Sequence, residues 1–155
     1  MRFFEKISYE QFKRDIKEDM ELYNNYLIPK RATTGSAGYD FYMIDDFVLK
    51  PNEIITIPTG IKAKMNIDEV LYIVVRSSTG FKYNVRMVNQ IGVIDSDYYN
   101  NENNEGHIFF KIQNQGDKEF RVLKNQPVVQ GIFSKFLMVE DDDILEIRKG
   151  GIGSS

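Results

Sequence analysis

The 155-residue sequence contains no cysteine. Disulfide staples, thiolate metal sites and cysteine nucleophiles are therefore excluded. It contains one histidine, which excludes metal motifs built on paired histidines. It also lacks an excess of positive charge: 20 Lys and Arg stand against 23 Asp and Glu, a formal net charge of -3. Such a chain has no general attraction for nucleic acid or for an anionic membrane, so a phosphate ligand must be met by a few placed cations or by a metal. No apolar run approaches the ~20 residues that span a bilayer. The opening MRFFEK mixes charge with two Phe and does not read as a secretory signal. The expectation is a cytoplasmic protein with no membrane and no nucleic-acid partner.

What is present is an ordinary globular balance, 42% hydrophobic and 28% charged, in a length that suits one domain with a real core. Residues 8–24 read as an amphipathic helix. Ser8 with Gln11 fits a capping box, and Phe12, Ile16, Met20 and Tyr23 recur at helical spacing. From Ile28 onward the pattern changes to short apolar or alternating runs: YDFYMI, EIITIP, GIKAKM, VLYIVVR, HIFFKIQ and PVVQGIFSKF. KPNE, PTG, STG and NQGDK punctuate them as turns. Many short strands between turns predict an all-β sandwich, barrel or jelly roll. The Asn-rich YYNNENNEG (98–106) reads as an exposed loop, EDDD (140–143) as a solvated linker, and RKGGIGSS (148–155) as a mobile tail.

Five segments carry residues that plain structure does not need. In GSAGYDF (35–41), Gly and Ala permit close backbone approach, and Asp40 is a carboxylate at an apolar strand start: a capping residue or a site residue. VRSS (75–78) places Arg76, Ser77 and Ser78 after an apolar strand. A guanidinium fork with two hydroxyls there can hold phosphate. In NQIGVIDSDY (89–98), Asp95 follows an apolar run where desolvation could tune a base. If that segment is extended, period two puts Asp95 and Asp97 on one face and Tyr98 on the other; a turn at Gly92 would void this. Gln130 is an amide inside the apolar PVVQGIF (127–133) and needs partners if buried. The Gly-rich tail from Arg148 can close over phosphates and offer N–H donors.

In this order, GSAGYDF, RSS, GVIDSDY, VVQGIF and RKGGIGSS resemble the five motifs of the trimeric dUTPase family, over residues 28–155. The resemblance implies a distorted β jelly roll, the dUTPase-like β-clip. An N-terminal helical extension (1–27) would pack on the β domain (28–139), and a flexible C-terminal arm (140–155) would follow. It implies a homotrimer with three shared active sites, the arm of one subunit reaching another's site. The implied activity is hydrolysis of dUTP to dUMP and pyrophosphate, which keeps uracil out of DNA and supplies dUMP for dTMP synthesis. Mg²⁺ would be held mainly by substrate phosphates and water, with no protein cage.

Carried over position by position, Asp95 activates the water that attacks the α-phosphorus, and Asp40 supports the metal-bound water. Asn89, Gly92, Ile94 and Tyr98 meet uracil and deoxyribose, with the Tyr98 ring leaving no room for a 2′-hydroxyl. Ile152 covers the base. Arg76, Ser77, Ser78, Gln130, Arg148, Gly153 and Ser154 hold the phosphates. The sequence departs from the family pattern in three places. The insert NNENNE (100–105) delays the usual Gly to Gly106, ahead of His107; Ile152 replaces an aromatic; and the spacer after Arg148 is one residue shorter. A structural role is expected of His107, and added surface of the insert.

Two other readings remain open at this level. One is a dCTP deaminase, or bifunctional deaminase and dUTPase, of the same fold; IDSDY and Asn89 favour dUTPase. The other is a regulatory protein-interaction module derived from a dUTPase, with a protein partner docking at 99–105 or on the N-terminal helix.

Overall fold

The computed structural model describes residues 1–152. The described chain forms twelve strands: β1 (Phe3–Lys6), β2 (Lys30–Arg31), β3 (Tyr39–Tyr42), β4 (Phe47–Leu49), β5 (Ile54–Pro58), β6 (Ile61–Lys64), β7 (Glu69–Val75), β8 (Val85–Met87), β9 (Gly92–Asp95), β10 (Phe109–Asn114), β11 (Phe120–Val122) and β12 (Pro127–Lys135). It has three short helices, α1 (Tyr9–Asp15), α2 (Met20–Asn25) and α3 (Ser77–Tyr83). This is the all-β jelly-roll arrangement expected from the sequence. The six strands legible as apolar runs are β3, β5, β6, β7, β10 and β12. The others are shorter or lack a period.

A five-stranded sheet has the order β2-β3-β12-β7-β9, and a three-stranded sheet has the order β5-β10-β8. Two-stranded ribbons, β1-β6 and β11-β4, complete the fold. Every pairing is antiparallel. One apolar cluster joins the sheets. Phe41, Leu71, Ile73 and Val129 enter it from the larger sheet, and Phe110, Ile112, Val85 and Met87 from the smaller. The strand β7 lies between β12 and β9. Its apolar run, LYIVV, buries Leu71 and Ile73 on one face and leaves Tyr72 and Val74 partly buried on the other.

The single helix expected over 8–24 is two. Ser8 caps α1 through Gln11 N at 3.1 Å, but the Gln11 side chain turns to Asp15 and does not close the box. Asp19 then accepts from Leu22 N at 2.9 Å and starts α2. An Asp in the middle of a helical pattern competes for backbone donors and is better placed as a cap. Phe12 is fully buried while Met20 is about half exposed, so the helical spacing held for the first turns only. Burying a side chain such as Phe12 contributes about 2–3 kcal/mol. The STG expected as a turn lies inside α3.

The N-terminus is tied down by more than helices. β1 pairs with β6 from Phe3↔Lys64 to Lys6↔Ile61. Arg2 closes both ends of its fork on the enclosed Glu69 carboxylate, with Nε to Oε2 at 2.8 Å. The Arg2 guanidinium, helped by the Asn66 amide, holds Glu69 down to about 2 from an ordinary 4.5. A depressed carboxylate stabilises the fold above its unfolded value, and that stability is lost as pH falls through the folded value. Arg2→Ala is therefore expected to lower the melting temperature at pH 7 and to flatten its fall between pH 4.5 and 2. Thermal melts of both proteins across that range check it.

Candidate active site

Two groups of the sequence-predicted residues assemble, one just beyond the C-terminal end of β7 and one along the neighbouring β9. The first is at the C-terminal end of β7. Arg76 follows the strand and caps α3, with its backbone N–H donating to Val128 O at 3.1 Å. Its Nε reaches Asp40 Oδ1 at 2.9 Å. Asp40 sits on β3 opposite Gln130 of β12, so strand register brings Asp40, Arg76 and Gln130 together. The Gln130 side chain lies over Gly38, where a Cβ would push its amide aside; the absence of a side chain at Gly38 lets the amide rest where it does. Ser77 and Ser78 stand exposed on the first turn of α3, while Thr79 is buried and bonds Val128 O at 3.0 Å. VRSS thus runs from a strand end into a short helix. A half-buried guanidinium, an amide and two free-facing hydroxyls form a polar patch suited to phosphate oxygens.

The second group lines a cavity of about 450 Å³ that takes in Asn89, Gly92, Ile94, Asp95, Tyr98, Arg148, Gly151 and Ile152. β9 pairs with β7 through Gly92↔Ile73 and Val70↔Asp95. The turn before it is not at Gly92. It is at Asn89–Ile91, where Gln90 takes a positive φ of 65°. After Asp95 the chain winds into one 3₁₀ turn, Ser96–Tyr98. That turn, not an extended strand, puts Asp95 and Asp97 on a common side and sends Tyr98 inward. The cavity also has Thr56, Phe109 and Lys111 in its wall, which the sequence reading missed. They arrive by pairing of β10 with β5, Lys111 opposite Thr56, and no local motif marks them.

Arg148 lies on the same side of the chain. Its Nη2 meets Asp95 Oδ2 and its Nε meets Asp97 Oδ1, each at 2.6 Å. The guanidinium is mostly enclosed, whereas the Asp95 side chain keeps half of its exposure. The two carboxylates raise the Arg148 pKa further, Asp97 most. Asp95 is therefore an ion-paired and half-exposed carboxylate in the single chain. Gly151 rests against the Tyr98 ring, and Ile152 is exposed at the cavity rim. Arm residues 148–152 thus lie on their own chain's cavity. Gly153 and Ser154 lie outside the described residues.

Asp95 is opposite Val70, whereas Arg76 lies beyond Val75 at the other end of the strand. At ~3.3 Å per residue Asp95 and Arg76 are roughly 20 Å apart along β7, whereas Gly92, opposite Ile73, is nearer to Arg76. Within a single chain Asp95 therefore stands well away from the Asp40–Arg76 pair.

A profile of the dUTPase family matches residues 24–155. A deoxyuridine 5'-triphosphate nucleotidohydrolase of Lactococcus lactis is 47% identical over 130 residues, covering 83% of this chain and 87% of the relative. A dUTPase structure from Streptococcus mutans superposes with a TM-score of 0.71 at 40% identity, covering 89% of this chain and 98% of that one. A mutant dUTPase from phage phi11 of S. aureus, described with a structural Mg(II) ion, shares the fold at a TM-score of 0.68 and 16% identity, covering 94% of this chain and 97% of that one.

Proposed function

The chain belongs to the dUTPase family, and on that premise we propose that its active site forms between copies of the chain, the cavity of one facing the Asp40–Arg76–Gln130 cluster of another. The protein hydrolyses dUTP to dUMP and pyrophosphate. The observation that carries the shared site is the separation just described: the base-like Asp95 and the phosphate-binding cluster stand at opposite ends of β7. Symmetric association brings opposite ends of identical chains together without new sequence. The strap after β12 supports such an assembly. Leu137, Leu145 and Ile147 are 97%, 93% and 87% exposed, an apolar stretch that suits a covered position between copies. A homotrimer fits these features and the resemblance.

In this reading the base enters the cavity against β9, an edge strand whose outer backbone groups are open to hydrogen-bond uracil. The Tyr98 ring sets the sugar wall. Asp95 takes a proton from a water aligned with the α-phosphorus. The bond from that phosphorus to the bridging oxygen breaks, and pyrophosphate leaves. Arg76, Ser77, Ser78 and Gln130 hold the phosphate oxygens.

Among the described residues no three His, Asp or Glu side chains come together as a metal cage. Asp40 and the half-exposed Asp95 instead fit a hydrated ion carried on the phosphates. Mg²⁺ bound in that way supplies charge neutralisation of the triphosphate. For Arg148 to clamp the γ-phosphate, its fork exchanges two carboxylates for phosphate oxygens of the same bidentate geometry.

The test is pyrophosphate release with Mg²⁺ from dUTP beside UTP, dTTP and dCTP. Release from dUTP alone is expected. Ammonia from dCTP with no pyrophosphate from dUTP would overturn the reading.

A further inference from the structure

The Asn-rich insert leaves Asn100, Glu102 and Asn103 exposed, as its composition implies, but it is also tethered to the residues behind the cavity. Asn101 is buried, and its Nδ2 donates to Tyr98 O at 2.7 Å while its Oδ1 accepts from Asn103 N and Asn104 N. Asn104 Nδ2 donates to the Tyr98 hydroxyl at 2.8 Å, and that hydroxyl donates to His107 O at 2.7 Å. The two bonds fix the far end of the ring from two directions. Gly106 closes the turn at a φ of +86°, where a Cβ would come within 2.6 Å of Tyr98 O.

The same loop is bolted to α1 at both ends of that helix. Glu105 accepts from Ser8 N at 3.1 Å and from the Ser8 hydroxyl, and it also meets Lys62 Nζ at 3.1 Å. The His107 ring is fully enclosed. Its Nε2 faces Gly60 N at 2.9 Å. A backbone N–H can only donate, so Nε2 is the unprotonated nitrogen and Nδ1 carries the proton toward Asp15 at 2.6 Å. Asp15 is held in turn by Gln11. No residue of this chain of contacts except Tyr98 lines the cavity.

We propose that α1 and the insert together form the seat of the Tyr98 ring, making Asn104, His107 and Asp15 positioning residues for discrimination between deoxyribose and ribose. The inference rests on the reading of Tyr98 as the sugar wall. A ring that is excluded from the 2′ position only by where it stands must be held there. A shift of well under a bond length in a packed wall admits or rejects one oxygen. The insert and the N-terminal helix, which lie outside the family motifs, thereby acquire a task at the site.

The experiment measures kcat/KM for dUTP and for UTP, with melting temperatures, on the full chain. Asn104→Ala removes one tether of the hydroxyl and Tyr98→Phe removes both, and each is expected to lower the dUTP-to-UTP selectivity about fivefold to tenfold. Asp15→Ala should lower it as well. Asp15→Asn should restore it, because an amide oxygen still accepts from His107 Nδ1–H. A merely structural role would move both substrates by the same factor, in step with the melting temperature, and would overturn the inference. Tyr98→Ala separates the two levels. If it lowers selectivity while Asn104→Ala and Tyr98→Phe do not, the seat is wrong and the sugar wall stands. If it leaves selectivity unchanged, the reading of Tyr98 fails and the inference falls with it. Should Asp15→Ala not fold, the Asn104→Ala and Tyr98→Phe variants decide.

Discussion

Asp95→Asn is expected to lower dUTP turnover about a thousandfold, the usual weight of a positioned general base, while dUTP binding changes little. An amide of the same shape cannot take the proton of the attacking water, yet it fills the same space in the cavity wall. The replacement also removes one of the two carboxylates that hold Arg148, at 2.6 Å in the present structure, and Asp97 remains to hold the arm. Pyrophosphate release gives kcat, and calorimetric titration with a non-hydrolysable dUTP analogue gives affinity. Loss of rate with affinity retained places Asp95 in the chemical step. Unchanged turnover would remove it from the mechanism. An equal loss of both would make it a binding residue.

The second large effect is a rescue. Arg76→Ala removes the only guanidinium bonded to Asp40 among the described residues and should abolish most turnover alone. Co-folded in equal amounts with Asp95→Asn, however, it should recover about a quarter of the wild-type rate, because half of the copies carry each intact group and the site draws one from each of two copies. If both groups served one site within a chain, every chain in the mixture would carry one defect and no activity would return. The distance along β7 is the physical basis: antiparallel pairing puts Asp95 beside Val70 and leaves Arg76 at the far end. A mixture as dead as its components would place the site inside one chain and refute the shared assembly.

Much of the fold and part of the site were legible beforehand, for identifiable reasons. The runs that became β7 and β12 are apolar and bounded by turn residues, and strand formation follows from that pattern. Asp40, Arg76 and Gln130 stood out because polar groups in such runs need partners; Asp40 and Arg76 pair with each other, and Gln130 lies opposite Asp40 in the strand register. The short strands β1, β2, β4 and β11 span two to four residues, too few for a period to show. The break at 16–19 was hidden because the apolar spacing continued across it while Asp19 offered a better cap. Apolar neighbours in sequence mark Asp95 as a place where desolvation could tune a base, whereas its ion pair with Arg148 comes from a residue 53 positions away.

The sequence by itself determined the class of fold, the family and the identity of the polar groups. These depend on local pattern and on motif order. Only the tertiary structure decided which groups share a site. It sent Tyr98 inward, set Asn104 and His107 behind it, brought Thr56 and Lys111 into the cavity, and separated Asp95 from Arg76. Those outcomes rest on strand register and on contacts between residues distant in sequence, such as Asp15 with His107, which no local pattern encodes.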